Sequence, residues 1–127
     1  MRSIVLLLLL ALIPVQAQTS SLVVQPILLR RSRDQVDIRT EVRNVAGAAV
    51  ETSYQVRLLA RTRASEPWRL LQSWDLGKLP AGQQVDREYI PVPPGDPALG
   101  HRHPHLRAEV WMNDHCESST ETVWQER

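Results

Sequence analysis

Three histidines alternate with other residues in His101-Arg102-His103-Pro104-His105, and His115 and Cys116 follow further along. On an extended chain that spacing can turn alternate imidazole nitrogens toward one Zn²⁺ or Cu²⁺. A site shared with His115 and Cys116 is not expected. The segment Leu106 to Met112 separates the two groups by roughly 20 Å, at about 3.3 Å per strand residue. What remains for metal chemistry is a weak site of His101, His103 and His105 alone, and its alternative is a solvated loop. Asp114, Glu117 and Glu121 offer oxygen ligands of the kind Ca²⁺ takes. They lack the loop of alternating Asp and Asn around a glycine, and read as solvent-facing turn acids. No serine sits in a Gly-x-Ser-x-Gly elbow, and no His-Glu-x-x-His pair occurs. His115 and Cys116 are adjacent, so on an extended chain they face opposite ways and do not form a nucleophile–base pair. The expectation is a non-enzymatic protein with no cofactor.

A second set of residues is singled out by direction. If Tyr54, Val56 and Leu58 face the core, Leu59 faces out. If Ala108, Val110 and Met112 face in, Trp111 faces out. Leu71 opposes an inward Leu70 in the same way, and Val123 opposes Thr122 and Trp124. Tryptophan and arginine are enriched at binding hot spots, and Arg57, Arg61 and Arg107 share the outward positions. The bland alternative is a scatter of exposed apolar residues, with Trp111 covered by its own arginine neighbours.

The elements that would position these residues show a period of two. Val36, Ile38, Thr40 and Val42 alternate with Asp37, Arg39, Glu41 and Arg43, which is a half-buried strand. Leu22 to Leu29 reads as the first strand, with Pro26 at an edge or a bulge because proline gives no N–H to a ladder. Tyr54 to Arg61, Trp68 to Leu76, Val85 to Val92, Leu106 to Met112 and a strand within Ser119 to Gln125 follow. Asn44, Gly47 and Gly82 fall in connections that need unusual backbone angles. Seven short strands with turn signals roughly every ten residues predict an all-β, antiparallel, immunoglobulin-like sandwich. A small closed barrel fits the same pattern.

The front of the chain is of another kind. Met1-Arg2-Ser3 is followed by the apolar run Ile4 to Ile13, then Pro14, then Val15-Gln16-Ala17 before Gln18. That is the build of a secretory signal peptide over 1–17, leaving one domain over 18–127. The apolar run, at about ten residues, is too short for the roughly 20 that span a bilayer. No cysteine stands at the cut, so no lipid anchor is expected. The reading is a periplasmic or secreted protein that does not insert in a membrane once cleaved. The chain of 127 residues carries 15 Lys plus Arg against 14 Asp plus Glu. Losing Arg2 with the leader evens them, which speaks against nucleic acid as a partner, since that needs surplus positive charge. At 43% apolar and 23% charged residues it is globular material, with a core large enough for one domain. Cys116 is the only cysteine, so no internal disulfide forms. It is buried as a small apolar residue, free in a loop, or available to another chain.

Several short pieces occur in a telling order. They are Leu22-Val23-Val24, Glu41-Val42-Arg43-Asn44-Val45-Ala46-Gly47 and Trp74-Asp75-Leu76-Gly77-Lys78-Leu79-Pro80-Ala81-Gly82. The series ends in Ala108-Glu109-Val110-Trp111-Met112-Asn113-Asp114 with Glu117-Ser118. The series resembles the cell-adhesion-related domain found in bacteria, an immunoglobulin-like or fibronectin-type-III-like sandwich. Where that family closes with an asparagine pair, Glu121 is followed by Thr122 and Val123. The resemblance implies that the strands bearing Leu59, Leu71, Trp111 and Val123 are neighbours in one sheet, so that the four form one patch flanked by Arg57, Arg61 and Arg107. The functional expectation is a module that binds a protein or cell-envelope component through that patch. Its rivals are a metal-binding module using the loop histidines and an accessory subunit pairing through a strand edge.

Overall fold

A computed structural model describes residues 21–32, 35–90 and 104–124. In it the alternation resolves into eight strands: β1 (Leu22–Val24), β2 (Leu28–Ser32), β3 (Gln35–Asn44), β4 (Tyr54–Arg61), β5 (Arg69–Leu76), β6 (Gln84–Tyr89), β7 (His105–Met112) and β8 (His115–Val123). The described residues contain no helix, and so none long and apolar enough to cross a membrane. The expected leader over 1–17, and His101 and His103, lie outside the described residues.

Every pairing is antiparallel, in two sheets. In one, β3 takes β1 and β2 along one side and β6 along the other. The other runs β5-β4-β7-β8. The single first strand expected over Leu22 to Leu29 is divided. Val24 lies opposite Val42 while Leu28 lies opposite Arg39, so the β1–β2 side carries one more residue than β3 between those pairs. Gln25 N–H still donates to Glu41 O at 2.8 Å. Pro26 then has no N–H to continue the ladder, and the chain bulges before pairing resumes. That break makes eight strands where seven were expected.

The last strand also departs from expectation, beginning at His115 rather than within Ser119 to Gln125. Met112 pairs with His115, so β7 and β8 are joined by Asn113-Asp114 alone, with φ of 52° and 62°. A two-residue hairpin wants positive φ at both positions, and Asn and Asp tolerate it best after glycine.

The two sheets share one core. Leu22, Ile38 and Val42 from the first and Val56, Leu58, Leu106 and Val110 from the second are all buried in it. Burying each such side chain contributes about 1.5–3 kcal/mol. The sheets are also tied by a hydrogen bond, from Val24 N–H on β1 to Ser118 Oγ on β8 at 3.1 Å. Asn44 ties the end of β3 to the connections beyond it. With no exposed surface, it donates Nδ2 to Ala48 O at 3.0 Å and Leu79 O at 2.9 Å, and accepts Ala46 N–H at 2.9 Å. Its role is therefore made by its side chain and not by an unusual backbone angle. Gly47 has no positive φ either; Gly82 does, at 73°.

Candidate functional site: the outer face of the β5-β4-β7-β8 sheet

β4 alternates buried and half-buried residues along its whole length, putting Tyr54, Val56, Leu58 and Ala60 in the core and Gln55, Arg57, Leu59 and Arg61 outside. Cross-strand partners share a face, so register extends that outer face over four strands. Gln55 lies between Asp75 and Trp111, and Trp111 lies opposite Cys116. The next row is Ser73, Arg57, Glu109 and Ser119. Leu70, Leu59, Arg107 and Glu121 follow, then Arg61, His105 and Val123. Leu59, Trp111, Val123, Arg57 and Arg107 thus stand on the face where alternation puts them, and Val123 is 43% exposed.

Leu71 does not. It packs against the core, and Leu70 is outward and 56% exposed. The cause is a bulge: Leu58 pairs with Gln72 but Leu59 pairs with Leu70, leaving Leu71 as an extra residue on β5. One inserted residue reverses the phase of a strand beyond it. The expected continuous apolar patch is also corrected. The row Arg57–Glu109 separates Trp111 from the Leu59–Leu70 pair, and Arg107 and Glu121 separate that pair from β8's Val123.

What joins the face is a chain of polar and ring contacts. Arg57 Cζ lies 4.2 Å from the centroid of the Trp111 ring, and Arg61 Cζ lies 4.0 Å from that of Trp68. A guanidinium over an indole face is attracted by the ring quadrupole. Trp111 Nε1–H donates to Glu109 Oε1 at 2.9 Å, and Arg107 Nε–H donates to Glu109 Oε2 at 2.7 Å. Arg107 also donates to Glu121 Oε2 at 2.7 Å, and Arg61 comes within 3.9 Å of the other oxygen. The hydrogen-bonded Glu109 carboxylate, acting against burial and helped by Glu121, holds the Arg107 guanidinium above its usual pKa. Toward β5, Arg57 donates its Nε–H to Gln55 Oε1, while Gln55 Nε2 donates to Asp75 Oδ1 at 2.9 Å. Sequence reasoning missed Glu109, Gln55 and Asp75, and took Glu121 for a solvent-facing turn acid. The signal for Glu109 was present, because alternation sets it between Arg107 and Trp111 on one face.

At the β7–β8 turn end the face dips into a depression of about 360 Å³, walled by Trp111, Arg57, Gln55, Asp75, Asn113 and Asp114. The metal expectation gains nothing from the described residues, among which no group of three or more His, Cys, Asp or Glu side chains could hold an ion. His105 begins β7 beside Arg61 and Val123, while His115 lies past its far end. Cys116 is exposed and its thiol approaches Ser118 O at 3.6 Å. Burial first, and the Glu109 charge second, push that thiol's pKa up.

No family model and no curated protein matches the sequence. Among solved structures, the chain is similar to a β-glucosidase from Kluyveromyces marxianus, with 14% identity and a TM-score of 0.48, over 84% of this chain and 15% of that one. It is similar to the sporulation control protein Spo0M from Bacillus subtilis at 10% identity and a TM-score of 0.47, over 81% of this chain and 48% of that one. A β-glucosidase from Bifidobacterium adolescentis matches at 12% identity and a TM-score of 0.45, over 82% and 17%. The chain therefore spans less than half the length of each of these proteins.

Proposed function

We propose that the protein is an exported, non-enzymatic, immunoglobulin-like module akin to the bacterial cell-adhesion-related domain. It binds a protein or cell-envelope component through the outer face of the β5-β4-β7-β8 sheet. The strand order supports the fold assignment, with β3 flanked by β1–β2 and β6 in one sheet and β5-β4-β7-β8 in the other. The observation that carries the functional reading is Trp111, half-exposed on a sheet face and stacked with Arg57. A flat strand face with a pre-positioned tryptophan and arginine offers area and hydrogen bonds at little ordering cost. On the opposite outer face Arg39 is ion-paired with both Glu41 and Asp86, and no aromatic residue stands there among those described.

A photo-crosslinking amino acid tests this in cells that make the protein. Placed at Leu70 it should give a discrete adduct, and placed at Glu88, exposed on the other sheet, it should give none. Adducts at Glu88 alone, or at neither position, overturn the reading. The strand-edge rival has one observation of its own: Leu28 and Leu29 are 46% and 37% exposed on β2, which among the described residues is paired on one side only. A crosslinker at Leu28 reports on it in the same experiment.

A further inference from the structure

We propose that the depression at the turn end of this face binds a neutral, hydroxyl-rich ligand, a saccharide. The inference rests on the reading of the face as the binding surface and names the chemistry of its ligand. Size comes first. A depression of about 360 Å³ falls within the range of small-molecule sites, roughly 300–1,000 Å³.

The distribution of free hydrogen-bonding groups then narrows the class. Both ends of the Gln55 amide are engaged, one by Arg57 Nε–H and one by Asp75 Oδ1. Gln55 is therefore a positioning residue that holds a cation and an anion at opposite ends of one side chain. Arg57 is held a second time by its stacking on Trp111. Among the described residues no carboxylate comes within ion-pair distance of Arg57, whereas Arg107 and Arg61 both reach Glu121. Its terminal N–H groups are thus fixed in direction and available. Asp75 keeps Oδ2 free, and Asn113 and Asp114 are exposed on a turn whose two positive φ angles set where they project.

Charge excludes the simpler ligands. A plain anion drawn by Arg57 meets Asp75 and Asp114, and a plain cation drawn by the two carboxylates meets Arg57. An apolar ligand strips water from four polar side chains and replaces none of their hydrogen bonds. A hydroxyl group both donates and accepts. Neighbouring hydroxyls can donate to Asp75 and Asp114 while accepting from Arg57 and Asn113, and the flat Trp111–Arg57 stack gives the C–H face of a sugar ring something to pack against. That combination of vicinal hydroxyls and an apolar ring face defines a saccharide.

An array of neutral, uronate-bearing and amino-sugar oligosaccharides, probed with the mature domain and followed by NMR titration of each hit, tests the assignment. Binding of a neutral oligosaccharide is expected, with perturbation of the Trp111 indole resonance. Trp111→Ala, Asp75→Asn and Arg57→Lys should each weaken it at least tenfold, about 1.4 kcal/mol, while β-sheet circular dichroism stays unchanged. Arg57→Lys keeps the charge and loses the flat fork, so it reports on the site even if Trp111→Ala folds poorly. No binding of any neutral oligosaccharide at about 10 mM, a level that would reveal even millimolar affinity, overturns the proposal. So does binding confined to uronates and intact in Asp75→Asn, or confined to amino sugars and intact in Arg57→Lys. A silent array with a Leu70 crosslink overturns the saccharide and leaves the binding face standing; a silent array with no crosslink overturns both.

Discussion

Trp111 and Glu109 alternate on the outer face of β7, and Glu109 Oε1 takes the indole N–H of Trp111 at 2.9 Å. The other carboxylate oxygen takes Arg107 at 2.7 Å. Only 9% of Glu109 is exposed, so the charge is tolerated because both oxygens are engaged. The orientation of the tryptophan that carries the functional reading is thus set by an acid two residues before it.

Removing that acid leaves an indole N–H and part of a guanidinium short of partners. Glu109→Ala should cost about 1–3 kcal/mol, the range for orphaning buried polar groups. Arg107 retains Glu121, which keeps the loss from reaching that of a fully isolated charge. Glu109→Gln still offers Trp111 an amide oxygen and should cost less. Urea unfolding measures both, and equal losses would show that the Trp111 hydrogen bond contributes nothing.

Trp111→Ala should cost about 1–2 kcal/mol, from the hydrogen bond and a cation–π contact of about 0.5–1 kcal/mol. Loss of a core tryptophan costs about 3–5 kcal/mol. A double-mutant cycle with Arg57→Ala isolates the stacking, and its coupling should be about 0.5–1 kcal/mol. Zero coupling would mean that the guanidinium and the indole lie side by side without holding each other.

Asn44 makes three hydrogen bonds from a fully buried side chain. Asn44→Ala should destabilise by about 2–4 kcal/mol, since Ala48 O and Ala46 N–H lose this partner together and Leu79 O is left with the Val50 N–H alone. Two nearby glycines are internal controls. Gly82→Ala places a Cβ on a backbone with φ of 73° and should cost about 1–2 kcal/mol. Gly47→Ala meets nothing within 4 Å and no positive φ. It should be neutral or stabilising by up to about 1 kcal/mol through the unfolded chain. Thermal unfolding of the three variants gives the order directly.

Legibility in the sequence followed from how local each determinant is. The strand phases of β3, β4 and β7 were readable because alternation is a property of neighbours, and Ile38, Leu58 and Val110 are buried as it requires. Leu71 was misassigned because its orientation depends on a bulge formed by pairing with β4, which no run of β5 residues announces. The β7–β8 turn was hidden because Asn113-Asp114 lacks the glycine that usually marks such a hairpin. Arg57 and Trp111 were each visible as outward residues. The chain of contacts from Trp111 through Arg57 and Gln55 to Asp75 depends on three strands lying in register, which only the folded sheet supplies.

Cys116 is exposed, yet burial of its thiol and the neighbouring Glu109 charge raise its pKa. Thiolate is the reactive form, so iodoacetamide at neutral pH should modify the folded protein more slowly than the urea-unfolded chain. Glu109→Gln removes the raising charge and leaves Arg107, which acts in the lowering direction, so the folded-state rate should rise. Equal rates in folded and unfolded protein would contradict the shift.

The acid limb of stability should depend on Asp86, on the outer face of the other sheet. Burial opposes its ionisation, but hydrogen bonds from Arg39 and Gln84 and the Arg39 and Arg87 charges outweigh it, leaving its pKa below the usual carboxylate value. A depressed pKa means that the unfolded chain binds the proton more readily than the folded one. The contribution is therefore fully present above the ordinary carboxylate range, near about pH 4. It declines as pH falls through that range and is gone below the folded pKa. Asp86→Asn should be less stable than the parent at pH 7, and the gap should narrow steadily as pH is lowered below about 4. Melting temperatures across that range measure the gap, and one that is constant with pH would mean that the Arg39–Asp86 pair does not distinguish the folded from the unfolded chain.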